Sequence, residues 1–183
     1  MKIIGFAGSN SKNSINKELV KYIGSQLTDV EFELLDLNNF EMPIYSIDRQ
    51  TENGFPKEAT AFYNKLEEAD AVVVSLAEHN GNFATGLKNI LDWISRIKMN
   101  YLQDKPLLLL ATSPGPNGAK SVLEIGFKSF TYAGSNIVSK VSFPSFHENF
   151  KEGSVTNEDL KNLLSENITN FVETYQSNKV SAN

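Results

Sequence analysis

The run Ala71-Val72-Val73-Val74-Ser75-Leu76 decides the fold class. Six residues rich in valine, with no polar face, are what a central parallel strand covered on both sides requires. Its neighbours agree. Upstream, residues 56–68 carry Phe62, Leu66 and Ala69 on one helical side, with Pro56 suited to the first turn. Downstream, after a Glu-His-Asn-Gly loop, residues 84–98 place Leu87, Ile90, Leu91, Ile94 and Ile97 at helical spacing. The same alternation continues in both directions. Towards the N-terminus lie a strand over 2–7, a helix over 15–27 (Leu19, Val20, Ile23, Leu27) and a strand over 31–37. A long polar connection over 38–54 then contains Met42-Pro43-Ile44-Tyr45. Towards the C-terminus lie a strand over 106–111, a helix over 119–132 and a strand over 137–141. A final helix over 157–176 has Thr156 as its N-cap and Asp159 three residues on.

Strand and helix alternating five times specify a parallel sheet with right-handed crossovers. No change of composition marks an internal boundary in the 183 residues. The expectation is therefore one three-layer α/β domain over 1–176, followed by a polar tail, 177–183. A net charge of -5 argues against a nucleic-acid binder, which carries a basic stripe. The absence of cysteine removes disulfides, thiolate metal sites and a thiol nucleophile. With only His79 and His147 available, no metal site is expected. The apolar runs are too short to cross a bilayer. The N-terminal run is cut off by Gly8-Ser9-Asn10 before it could resemble a secretion signal. A soluble cytoplasmic chain without membrane or nucleic-acid partners is the expectation.

In open parallel sheets, ligands sit beyond the carboxyl ends of the strands, where the strand order reverses. For the common order 2-1-3-4-5 the reversal lies between the first and third strands. Three clusters rich in Gly, Ser, Asn and Pro follow the first, third and fourth strands, so this topology brings them to one crevice. The first, Gly8-Ser9-Asn10-Ser11-Lys12-Asn13-Ser14-Ile15-Asn16, stands directly before a helix. Outward-pointing amides at the positive end of a helix dipole, with serine hydroxyls beside them, make a phosphate cradle. The plainer alternative is a polar loop with an ordinary serine cap. The loop is neither a Walker A sequence nor a dinucleotide G-x-G-x-x-G.

These residues resemble a known family. The first cluster is similar to the G-S-x-R-x-x-S-x-N signature of the NAD(P)H-dependent FMN reductases, which have a flavodoxin-like fold. The stretch Ala77-Glu78-His79-Asn80-Gly81 through Gly86-Leu87-Lys88-Asn89-Ile90-Leu91-Asp92-Trp93 resembles that family's P-x-Y-N-x-S-x-x-G-x-L-K-N-x-x-D-W segment. Ser113-Pro114-Gly115-Pro116-Asn117-Gly118-Ala119 resembles its S-x-x-G-x-x-G-G loop. The resemblance runs from residue 1 to about 142, and its most specific part is L-K-N-x-x-D-W. It implies that Ser9, Ser11, Ser14, Ile15 and Asn16 hold an FMN phosphate. Glu78, His79, Asn80 and Gly81 would lie along the flavin ring, with Ser113, Gly115 and Gly118 near its pyrimidine end. For the glycines, and evenly for Gly118, a turn requiring positive φ is the competing reading. The chain departs from the pattern in three places. Ser11 stands where the family has Arg, removing a bidentate charged partner, while Ala77 replaces Pro and His79 replaces Tyr.

The resemblance implies an enzyme that passes hydride from NADPH or NADH through bound FMN to a flavin, quinone, azo or similar small acceptor. The flavin carries the redox chemistry, so no acid-base side chain is required. The alternatives are a flavodoxin-type electron carrier and a hydrolase or transferase using another phosphate ligand. Lys88 and Asp92, at i and i+4, read as a structural ion pair. Trp93, off the main apolar stripe, reads as a subunit contact or a sheet-packing edge. Phe143, Phe146, Phe150 and Tyr101 read as apolar surface beyond one core's needs. Together with the resemblance, they point to a homodimer or homotetramer.

Overall fold

The computed structural model describes residues 2–181. Met1 and residues 182–183, at the ends of the expected domain and tail, lie outside the described residues. Strand β1 (Lys2–Gly8) leads into helix α1 (Ile15–Gln26), and β2 (Glu31–Leu35) follows. A 3-10 turn (Leu37–Phe40) and helix α2 (Ile47–Asn53) then lead to α3 (Lys57–Glu68) and β3 (Ala71–Leu76). A short hairpin, β4 (Glu78–His79) and β5 (Asn82–Phe83), precedes α4 (Thr85–Ile97), β6 (Pro106–Thr112), α5 (Lys120–Tyr132) and β7 (Asn136–Phe143). The chain ends with α6 (Phe146–Asn149), a second hairpin, β8 (Phe150–Lys151) and β9 (Ser154–Val155), and α7 (Glu158–Ser181).

The main sheet is parallel throughout, with order β2-β1-β3-β6-β7. This is the order expected from the sequence, second-first-third-fourth-fifth, so the fold is the flavodoxin-like three-layer α/β arrangement. β3 is inaccessible along its whole length. Alternation then sorts its side chains. Val72, Val74 and Leu76 join the core under α3, α4 and α5, while Ala71 and Val73 face the core under α1 and α7.

Four readings of the sequence are corrected. The connection over 38–54, read only as a long polar stretch, holds the 3-10 turn and α2. α2 buries no residue, so it has no apolar stripe to announce it. The cap of α7 is Asn157 rather than Thr156: Asn157 Oδ1 accepts the Leu160 N–H at 3.0 Å. Residues 177–181 of the expected tail continue α7. Finally, Tyr101, Phe143, Phe146 and Phe150 are all less than 9% exposed. They fill the cores of this one chain and offer no surface to a partner. Phe146 stacks on Phe150 with ring centroids 4.7 Å apart, and both lie in the core formed with α7.

Away from the loop crevice, the N-terminal end of the sheet is tied by charge. Lys2 Nζ lies 2.8 Å from Glu68 and 3.1 Å from Glu33, and Lys65 lies 2.7 Å from Glu33. The Lys65 bond, followed by that from Lys2, holds the Glu33 carboxyl below its ordinary 4.5. At the other end of β2, Lys17 holds Asp36 below its ordinary 3.8, helped by the Asn38 N–H. A depressed carboxyl contributes stability that is present above its unfolded value and lost as pH falls through the folded one. Unfolding free energy should therefore be level from neutrality to about pH 5 and should decline below about pH 4.5. Glu33→Gln should flatten part of that decline, as read by denaturant titration across pH. An equal acid slope in wild type and variant would contradict the assignment.

Candidate functional site

Parallel polarity puts the carboxyl ends of β1, β3 and β6 at one edge. The loops leaving them enclose a cavity of about 260 Å³. Its walls are Ser9, Ser11, Asn13, Ser14, Ile15 and Asn16 from the first loop. Ala77, Glu78 and His79 come from the second, and Thr112, Ser113 and Pro114 from the third. Eight of the twelve residues singled out in the sequence are thus brought together: Ser9, Ser11, Ser14, Ile15, Asn16, Glu78, His79 and Ser113. Asn80, Gly81, Gly115 and Gly118 are not among the lining residues.

The first loop is shaped by its serines. Ser9 Oγ accepts the Ser11 N–H at 3.2 Å, which folds the chain back over two residues. Ser14 is the N-cap of α1: its Oγ accepts the Lys17 N–H at 3.2 Å, and it is 5% exposed. In both cases the oxygen accepts, so the hydroxyl proton stays available to a ligand oxygen. Asn16, 3% exposed, lies one residue into the helix and accepts a 2.7 Å bond from Ser75 Oγ.

In the second loop, Asn80 (φ 53°) and Gly81 (φ 73°) are the two central residues of the β4–β5 hairpin. Both are left-handed, as a type I′ turn demands. The Asn-Gly pair was the available signal for this hairpin. It carries the pair out to the turn tip, past the cavity wall. The Glu78 carboxylate does work that the sequence did not reveal. The N-cap residue of α5, Ala119, is left-handed and offers no side-chain cap. Glu78 Oε2 accepts the Val122 N–H at 3.0 Å in its place. One carboxylate thereby joins the second loop to the helix that follows the third.

The third loop is fastened to β7. Ser113 Oγ donates to Gly115 O at 3.2 Å, and Thr112 Oγ1 donates to Phe143 O at 2.7 Å. Gly118 has φ 58°, and a Cβ there would meet Ser142 Oγ at 2.3 Å and Pro144 N at 3.0 Å. Only glycine fits that contact.

A second cavity, also about 260 Å³, lies across Asn10, between the 42–44 turn and the start of α4. Its wall is held by two residues of the L-K-N-x-x-D-W run. Asn89 Oδ1 accepts the Tyr45 N–H at 2.8 Å, and its Nδ2 donates to Met42 O at 3.2 Å and Pro43 O at 3.1 Å. Trp93 Nε1 donates to Pro43 O at 2.7 Å, and its ring meets Tyr45 and Phe55 edge-on. Trp93 is 1% exposed. It is therefore a clamp on the 42–56 connection, not the subunit contact or sheet-packing edge that its place off the stripe suggested. The i, i+4 spacing of Asn89 and Trp93 was the legible sign of a shared face. Lys88 and Asp92 form the expected surface pair, with contacts of 2.6 and 2.8 Å. Among the described residues, no group of three His, Asp or Glu side chains could hold a metal. No helix there is long and apolar enough to cross a membrane.

The chain has clear relatives. Residues 1–148 match the sequence pattern of the NADPH-dependent FMN reductase family. An uncharacterized protein of Mycoplasma pneumoniae is 29% identical over 147 residues, covering 78% of this chain and 86% of the relative. A quinone reductase of Escherichia coli is 31% identical over 119 residues, covering 64% of this chain and 63% of its own length. Among solved structures, the flavoenzyme NAD(P)H:(acceptor) oxidoreductase FerB of Paracoccus denitrificans superposes with a TM-score of 0.78 at 25% identity. That match covers 96% of this chain and 97% of FerB.

Asn89→Ala should release the 42–45 turn while leaving the five-stranded core intact. Three bonds are lost, one of them to an N–H that becomes unpaired, so a stability loss of about 1–3 kcal/mol is expected. Limited proteolysis should show new cleavage within 42–56. Unchanged resistance to protease would mean that the turn is held by something else.

Proposed function

The chain belongs to the NADPH-dependent FMN reductase family, and from that premise we propose that the three-loop cavity is an FMN site serving electron transfer from NAD(P)H to a small acceptor such as a quinone. The observation that carries the reading is the donor set. Hydroxyls of Ser9, Ser11 and Ser14, the amides opening α1 and the buried Asn16 converge on one cavity. Helix-start amides and hydroxyls suit a dianionic phosphate and give no grip to a cation. The carboxylate closest to hand, Glu78, is engaged with α5. FMN therefore fits the residues present.

In this reading Ser9, Ser11, Ser14, Ile15 and Asn16 hold the phosphate. Glu78, His79, Asn80 and Gly81 flank the ring with backbone groups, and Ser113, Gly115 and Gly118 shape its far end. FMN, when bound, supplies the hydride and electron chemistry, and NADPH or NADH is the donor. The protein's own contribution is position: loops fixed by the Glu78, Thr112 and Ser142 bonds before any ligand arrives. The relatives' names, a quinone reductase and an acceptor oxidoreductase, support a small-molecule acceptor. A homodimer or homotetramer in the cytoplasm belongs to the same reading. Its contact surface would draw on exposed Ile44, Ile47, Met99 and Tyr132.

Ser9→Ala tests the phosphate placement. Removing one charge-assisted bond of about 1.5–3 kcal/mol should weaken FMN about 10- to 100-fold. Riboflavin, which lacks the phosphate, should bind wild type and variant alike. The loss of the Ser11 turn bond lowers stability whichever reading holds, so the ratio of the two flavin affinities is the deciding quantity. Equal losses for FMN and riboflavin would remove the phosphate from this loop. A carrier without enzyme activity would bind FMN but fail to oxidise NAD(P)H in a steady-state assay.

A further inference from the structure

We propose that Ser75 is a positioning residue that fixes which way the Asn16 carboxamide faces, presenting its NH2 group to an anion at the start of α1. The inference rests on the FMN reading above and adds to it a residue outside the cavity wall. Strand alternation places Ser75 with Ala71 and Val73, on the side of the sheet that packs against α1. It is the one polar side chain of β3, it is 0% exposed, and its register partners are Ala7 and Leu110. A hydroxyl in such a place is costly unless it is bonded. Its bond goes to Asn16 Oδ1, at 2.7 Å.

A carboxamide has one accepting and one donating end of nearly the same shape. Turned one way, Asn16 offers a phosphate two N–H groups; turned the other, it offers a repelling oxygen. Ser75 weights the choice: its oxygen could accept from a turned-over NH2, but its own buried proton would then have no acceptor among the described residues. Its proton holds the oxygen towards the sheet, and a flip would take that acceptor away and set the oxygen against the ligand. Asn16 Nδ2 has no hydrogen-bond partner among the described residues, although the side chain is almost wholly buried at the cavity wall. A donor held ready in this way has already lost the rotational freedom that binding would otherwise cost it.

The test is a double-mutant cycle read as the ratio of FMN to riboflavin affinity, measured by flavin fluorescence titration of wild type, Ser75→Ala, Asn16→Ala and the double variant. Ser75→Ala should lower the ratio about 2- to 10-fold, the range of one neutral hydrogen bond. It should leave riboflavin binding unchanged. In the Asn16→Ala background the same change should do nothing further to the ratio, since Ser75 acts through Asn16. Ser75→Thr keeps the donor and should keep the ratio. Ser75→Cys keeps the shape with a weak donor and should lose it, so this pair decides the matter if the alanine variant does not fold. Additive effects of Ser75→Ala and Asn16→Ala, or a Cys variant with the wild-type ratio, would overturn the inference while FMN preference in the wild type stands. A wild type with no preference for FMN over riboflavin would overturn the phosphate reading itself.

Discussion

The constraint on which the structure depends is the complete burial of its central strand. β3 has β1 on one side, β6 on the other, and helices over both faces, so water reaches none of its residues. Backbone polar groups are satisfied by the ladder, and side chains must be apolar or bonded. Polar chemistry is therefore pushed to the ends of the strands. At the N-terminal end it becomes the ion pairs of Lys2, Glu33, Lys65 and Glu68. At the carboxyl end it becomes loops whose amides have no ladder partner, among them the Ser11 amide, bonded instead to a side chain of its own loop. Ser75 is the single exception within β3, and it lies one residue from that carboxyl end.

Those loops are not left to find their own shape. The first is shaped by its own serines, while the second is tied by its Glu78 carboxylate to α5 and the third by Thr112 and Ser142 to β7. The 42–45 turn is held by Asn89 and Trp93 of α4. Most of these partners are more than 20 residues apart in sequence, so a core must form before they meet. The crevice is thus a product of tertiary structure, and its rigidity is inherited from helices anchored in the two cores.

This explains which features were legible in the sequence. Apolar periodicity reports burial, and burial by the sheet is what defines β1, β3, β6 and helices α1, α3, α4 and α5, so these were readable residue by residue. α2 was not, because it buries nothing and is held by non-local bonds to its flanks. The aromatic residues Phe143, Phe146 and Phe150 were misread for the converse reason. Nothing local says that α7 returns over them to complete a core. In the crevice, the loop clusters and the capping serine Ser14 were visible as residue types. The Glu78 bond to α5 and the Ser75 bond to Asn16 were not, since each joins positions 44 or 59 residues apart.

The charge of the first loop follows from the same economy of partners. Lys12 is the only charged residue between Gly8 and Asn16. Lys17, in the first turn of α1, is engaged by Asp36 just past the end of β2. On the phosphate reading proposed above, a cradle without the arginine of the family pattern would rely mainly on oriented dipoles, with the exposed Lys12 as the one positive charge in the loop. Dipoles act at short range and only when they point correctly, whereas a guanidinium attracts from a distance and tolerates misplacement. Replacing Arg by Ser11 therefore raises the demand on orientation. That demand falls on the groups whose geometry the fold fixes most firmly: the amides of α1, the cap Ser14, and an Asn16 held from beneath by the central strand.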